Sequence, residues 1–122
     1  MNKDSESEEK IVRREFRIPV QEKDNIRMRI KGKEYALTNL ASRGAQIVYR
    51  AKDDFEPDAD LGRADLVLGE SRIVVRARVM YATKFDLELF ACGLYFYELE
   101  RNDLEFLEEF ISRKRASLFP DT

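Results

Sequence analysis

At 122 residues the chain is long enough for one domain with a modest core and too short for two ordinary domains. Apolar residues make up 43% of it and charged residues 38%, with a formal net charge of −2. That composition can fold, demands a surface dense in mixed charge, and excludes a general nucleic-acid binder held by bulk charge. With no histidine and one cysteine, the usual zinc sites, an internal disulfide and the histidine-dependent acid–base and nucleophile pairs are all out of reach. The chain therefore reads as a binder, not an enzyme, with no metal and no cofactor. It opens on the polar "MNKDSESEEK" and holds no apolar run near the roughly 20 residues of a membrane span. The expectation is no signal peptide, no membrane insertion and a reducing, cytoplasmic setting.

Residues 1–10 have the composition of a disordered leader. An arm over 11–20, "IVRREFRIPV", places Arg13, Arg14 and Arg17 within five residues. "NIRMRIKGKEYALTNL" then alternates Ile26, Met28 and Ile30 with Arg27, Arg29 and Lys31, turns at Gly32 and resumes at Tyr35 and Leu37, which predicts a hairpin. "NLASRG" (39–44) is expected as a loop and "GAQIVYR" (44–50) as the next strand. The acidic stretch through Pro57 and Gly62 reads as another loop. A hairpin over 63–69 and 71–82 follows, with Ile73, Val75, Ala77, Val79 and Tyr81 on one face and Arg76 and Arg78 on the other. Residues 87–99 are apolar on both faces, as a central or covered strand would be.

The tail changes period. Leu104, Leu107 and Ile111 recur at helical intervals, as do Phe106 and Phe110. Asn102 with Glu105 three residues on has capping-box spacing, and Arg113, Lys114 and Arg115 fall where cations suit a helix C-terminus. These elements predict a mainly β fold: a small antiparallel barrel of six or seven strands over 24–99, with a C-terminal helix over 102–115. Together with the arm they make one domain over 11–118.

Arginine donates bidentate hydrogen bonds to guanine O6 and N7 or to phosphate, and stacks on a base. Two arginines four residues apart on an arm can clasp a ligand from two sides. An Asn side chain can meet a guanine edge, and a glycine admits close backbone approach. The order Arg13-Arg14-Glu15-Phe16-Arg17, a hairpin, Asn39-Leu40-Ala41-Ser42-Arg43-Gly44, further strands and a terminal helix resembles the PilZ domain family, bacterial receptors for cyclic di-GMP. The likeness covers roughly residues 11–115. It implies that Arg13 and Arg17 clasp guanine and phosphate, Asn39 reads a guanine edge and Gly44 shapes the turn. Arg14 and Lys10 would add charge, with Ser42 and Arg43 as weaker ligand candidates. Ala41 stands where the family usually has serine. One lost hydrogen bond costs about 0.5–1.5 kcal/mol, so the resemblance implies binding weakened by about one order of magnitude. The implied role is a receptor that changes conformation with its ligand and signals to a partner protein not yet identified.

Two rivals stand beside it. One is a degenerate PilZ-fold adaptor that binds proteins without nucleotide. The other is a small-barrel nucleic-acid binder using the arm with Arg27, Arg29, Arg76 and Arg78, although no DNA or RNA is expected at this charge balance. Asp53, Asp54, Glu56, Asp58 and Asp60 invite a calcium reading, but Leu61 occupies the place where the EF-hand loop needs glycine. Cys92 reads as a small buried hydrophobe. Phe90, Tyr95, Phe96 and Tyr97 read as core and helix-facing surface, and Phe106 and Phe110 as the seal between helix and barrel.

Overall fold

The computed structural model describes residues 17–50, 55–84 and 86–118. Seven strands and a helix follow one another: β1 (Ile18–Pro19), β2 (Ile26–Ile30), β3 (Lys33–Ala41), β4 (Gly44–Arg50), β5 (Asp60–Leu68), β6 (Ser71–Lys84), β7 (Leu89–Glu98) and α1 (Arg101–Leu118). The sheet runs β1-β3-β2-β5-β6-β7-β4, and β3 also pairs with β4. Six antiparallel strands therefore close into a barrel, with β1 as an extra strand. The turns explain the closure. Lys31 (φ 52°) and Gly32 (φ 85°) are both left-handed, as a two-residue type I′ hairpin requires, and Gly69 (φ 68°) opens the β5–β6 turn.

Period-two burial fills the interior. Ile26, Met28 and Ile30 of β2, Leu66 of β5 and Val75 of β6 are all buried in the core, and among the described residues no polar or charged side chain is buried. At one end Phe55 plugs the barrel, edge-on to Tyr35 and Tyr49 at 5.3 and 4.8 Å between ring centres. Ile18 of β1 joins the core, as do Leu107 and Ile111 of α1, which packs against β1 and β3. Lys114 clamps the helix down by donating to Asp24 at 3.0 Å. The Asp24 carboxyl is held below its ordinary range, first by the backbone N–H of Gln21; burial pushes the other way, and Lys114 and Lys23 add to the lowering.

Several expectations need correction. "NLASRG" is no loop: Asn39–Ala41 end β3, only Ser42 and Arg43 turn, and Gly44 begins β4. The acidic loop stops at Ala59, because Asp60–Gly62 already belong to β5. The helix starts at Arg101, one residue ahead of the expected cap, and the Leu104 N–H reaches the Glu100 carbonyl, so Asn102 lies inside the first turn. Phe110 packs on the core, whereas Phe106 stays 38% exposed and does not seal the helix. Tyr81 faces outward, because a bulge between Val79 and Tyr81 inserts Met80 and reverses the alternation.

Candidate functional site

Among the described residues no polar or charged side chain is buried, so the polar groups that could meet a ligand lie on the outer surface. Cys92 is buried, and burial pushes its thiol up to about 12, which suits an unreactive core residue. Among the described residues no group of acidic or sulfur side chains could hold a metal ion.

A second bulge builds the outer face. In β3, Leu37 pairs with Ile47 but Asn39 pairs with Gln46, leaving Thr38 as the extra residue. Without it, Asn39 would follow Tyr35 and Leu37 into the core. With it, Leu40 turns inward and is fully buried, while Asn39 lies half-buried on the outside. There Arg17 meets it: Arg17 Nη1 donates to Asn39 Oδ1 at 2.9 Å across 22 positions of sequence. The pairing of Ile18 with Leu40 and of Pro19 with Asn39 fixes this approach.

From Asn39 one row crosses five strands: Pro19, Asn39, Gln46, Gly93 and Tyr81. The Thr38 hydroxyl donates to Gln46 Oε1 at 2.7 Å, and Gln46 Nε2 donates to the Tyr81 hydroxyl at 2.8 Å. The Tyr81 ring lies against Gly93, where a Cβ would sit 2.2 Å from it. The next row holds Ala41, Gly44, Tyr95 and Arg78. On this face Tyr81 covers Gly93 and Gly44 lies buried against β7, with the Arg17 guanidinium and the Asn39 amide at one side and the half-exposed Tyr81 and Tyr95 at the other. The guanidinium and amide can hydrogen-bond a polar-edged ligand, and the tyrosine rings can stack on a flat one.

Of the candidate residues, Arg17, Asn39 and Gly44 come together here. Arg13, Arg14 and Lys10 lie outside the described residues. Gly44 differs from expectation in its reason: its φ is not left-handed, but a Cβ would come 2.4 Å from the Leu94 carbonyl oxygen of β7. It is a contact glycine between strands. Ala41 is fully buried, and Ser42 and Arg43 form the turn, where the Arg43 carbonyl accepts from the Phe96 N–H at 2.8 Å. Thr38, Gln46 and Tyr81 were not singled out from sequence, since both bulges that orient this face are invisible to alternation counting.

No protein-family model matches the chain, and no curated protein matches it. Solved structures do. MrkH of K. pneumonia in complex with c-di-GMP superposes with a TM-score of 0.76 at 16% identity, covering 86% of this chain and 53% of MrkH. The PilZ domain of YcgR from Escherichia coli with c-di-GMP gives 0.68 at 12% identity, covering 89% of this chain and 98% of that domain. The Bacillus subtilis inhibitor of motility MotI gives 0.71 at 16% identity, covering 85% of this chain and 51% of MotI. The chain thus spans about half the length of MrkH and MotI and nearly all of the YcgR domain. The fold is that of PilZ domains: a closed six-strand antiparallel barrel, one extra strand and a C-terminal helix.

Proposed function

We propose that this chain is a receptor domain for cyclic di-GMP that signals to a partner protein. The observation that carries the reading is the Arg17–Asn39 hydrogen bond, 2.9 Å long. It joins one residue of each sequence motif on the outer face of a fold whose solved examples include c-di-GMP complexes. Arg17 and Asn39 would exchange this mutual contact for guanine edges and phosphate. Arg13 would join Arg17 on guanine and phosphate, with Arg14 adding charge. The exchange limits affinity, because each side chain gives up a made hydrogen bond before meeting the ligand.

Calorimetric titration with cyclic di-GMP, beside Arg13→Ala/Arg17→Ala, tests the reading. Saturable heat in the wild-type protein that the double variant loses is the expected result. Silence from folded wild-type protein at high ligand concentration would overturn it and leave the protein-binding adaptor, which the methyl of Ala41 favours.

A further inference from the structure

Which purines the site accepts follows from the hydrogen-bonding edge that Asn39 offers. Guanine carries two adjacent donors, N1–H and the N2 amino group, and only a pair of acceptors matches them; adenine has no such pair. A carboxylate at this place therefore selects guanine. An amide offers one acceptor beside one donor. It fits the adenine N6 amino group with N7, and equally the guanine N1–H with O6.

The face presents an amide and spends its other candidate readers. Arg17 has only donors, so the Asn39 atom that it meets at 2.9 Å is the oxygen, and Nδ2 is left to donate to a ligand. The second amide of the row is committed: Gln46 accepts from Thr38 at 2.7 Å and donates to Tyr81 at 2.8 Å. The register sets Asp60 opposite Arg78, at the end of the next row. Its carboxylate accepts from the Tyr97 hydroxyl at 2.8 Å and from the Gly62 N–H at 2.9 Å, and faces Arg78 at 3.9 Å. Among the described residues, then, neither row holds an uncommitted carboxylate. The hydroxyls of Tyr81 and Tyr95 both donate and accept, and so favour neither purine.

We propose that Asn39 reads a purine without distinguishing guanine from adenine. The site then takes the mixed cyclic dinucleotide, with one guanine and one adenine, about as well as cyclic di-GMP. This rests on the nucleotide reading and names the ligand class of that same site. One guanine is still favoured, because the Arg17 fork pairs with its O6 and N7, whereas adenine places a donor at N6. Cyclic di-AMP therefore binds least.

Calorimetric titration of the whole protein with the three dinucleotides tests this, with Asn39→Asp and Asn39→Ala beside the wild type and melting curves to show each folded. The quantity read is the Kd of the mixed ligand divided by that of cyclic di-GMP. Any cost of parting residue 39 from Arg17 cancels in that ratio. It should lie within about threefold of unity in the wild type and rise to about tenfold or more in Asn39→Asp. Asn39→Ala should weaken both ligands together by about fivefold or more, with the ratio unmoved. A wild type that prefers cyclic di-GMP to the mixed ligand by about tenfold would overturn this inference and leave the receptor reading standing. So would a ratio that Asn39→Asp does not change, or an Asn39→Ala protein that binds undiminished. Silence from all three ligands would overturn both readings.

Discussion

Gly44 and Gly93 should respond to alanine very unequally. At Gly44 the new methyl would lie 2.4 Å from the Leu94 carbonyl oxygen and 3.5 Å from its carbon. Both are backbone of β7, held by the pairing of Ala45 with Leu94 and Gly44 with Tyr95, so relief requires the two strands to part. Overpacking a tight site costs roughly 1–3 kcal/mol, and a clash with fixed backbone belongs at or beyond the upper end. At Gly93 the methyl would meet the Tyr81 ring at 2.2 Å, but that ring is the end of a side chain already 43% exposed and can swing away. The swing gives up the Gln46–Tyr81 hydrogen bond, about 0.5–1.5 kcal/mol. A less flexible unfolded chain returns about 0.4–1 kcal/mol. Urea unfolding followed by circular dichroism measures both. With m between about 1 and 3 kcal/mol/M, Gly44→Ala should lower the midpoint by about 1 M or more, and Gly93→Ala by a few tenths. A Gly44→Ala protein as stable as the wild type would refute the assignment of this motif glycine to strand contact.

Ala41→Ser places a hydroxyl in a fully buried position. Stability should fall by about 1 kcal/mol, while cyclic di-GMP affinity rises up to about tenfold if the hydroxyl serves the ligand; paired melting and calorimetry separate the two effects. Asp24→Asn should cost about 1.5–3 kcal/mol at neutral pH through the Lys114 and Gln21 contacts. Because the folded-state carboxyl is held below its ordinary 3.8, its contribution is present above that value and disappears as pH falls through the lower native one. Wild-type and variant midpoints should therefore converge in acid. Cys92, with its thiol pushed up to about 12, should resist alkylation at mildly alkaline pH in the native protein and react once urea unfolds it, as mass spectrometry would record.

Much of this fold was legible. The hairpin about Gly32, the strand 44–50, the pairing of 63–69 with the following strand and the terminal helix all follow from period and turn chemistry, because these elements keep strict alternation between well-marked turns. The errors cluster where one residue is inserted. Met80 turns Tyr81 outward, and Thr38 turns Asn39 outward; a bulge changes which residues face the core without leaving a mark in composition. Asn39 was singled out for its place in a motif, and its partner Arg17 for its place in another. Their contact across 22 residues was not readable, since the two-residue β1 that delivers it is too short to show a period. Gln46 and Thr38 went unnoticed for the same reason, and Tyr81 was expected on the face of Ile73 and Val75: only cross-strand register brings the three together.

The extra residue in β3 has a consequence for how this surface tolerates change. Thr38 works as a phase shifter, and everything before it in the strand is in one phase and everything after it in the other. Deleting that residue would exchange the environments of Asn39 and Leu40, driving an amide into oil and a leucine into water, while every atom of the recognition sequence survived. Spacing between the two motifs is therefore counted in half-periods as well as in distance. A chain one residue shorter here would keep its spelling and lose its meaning.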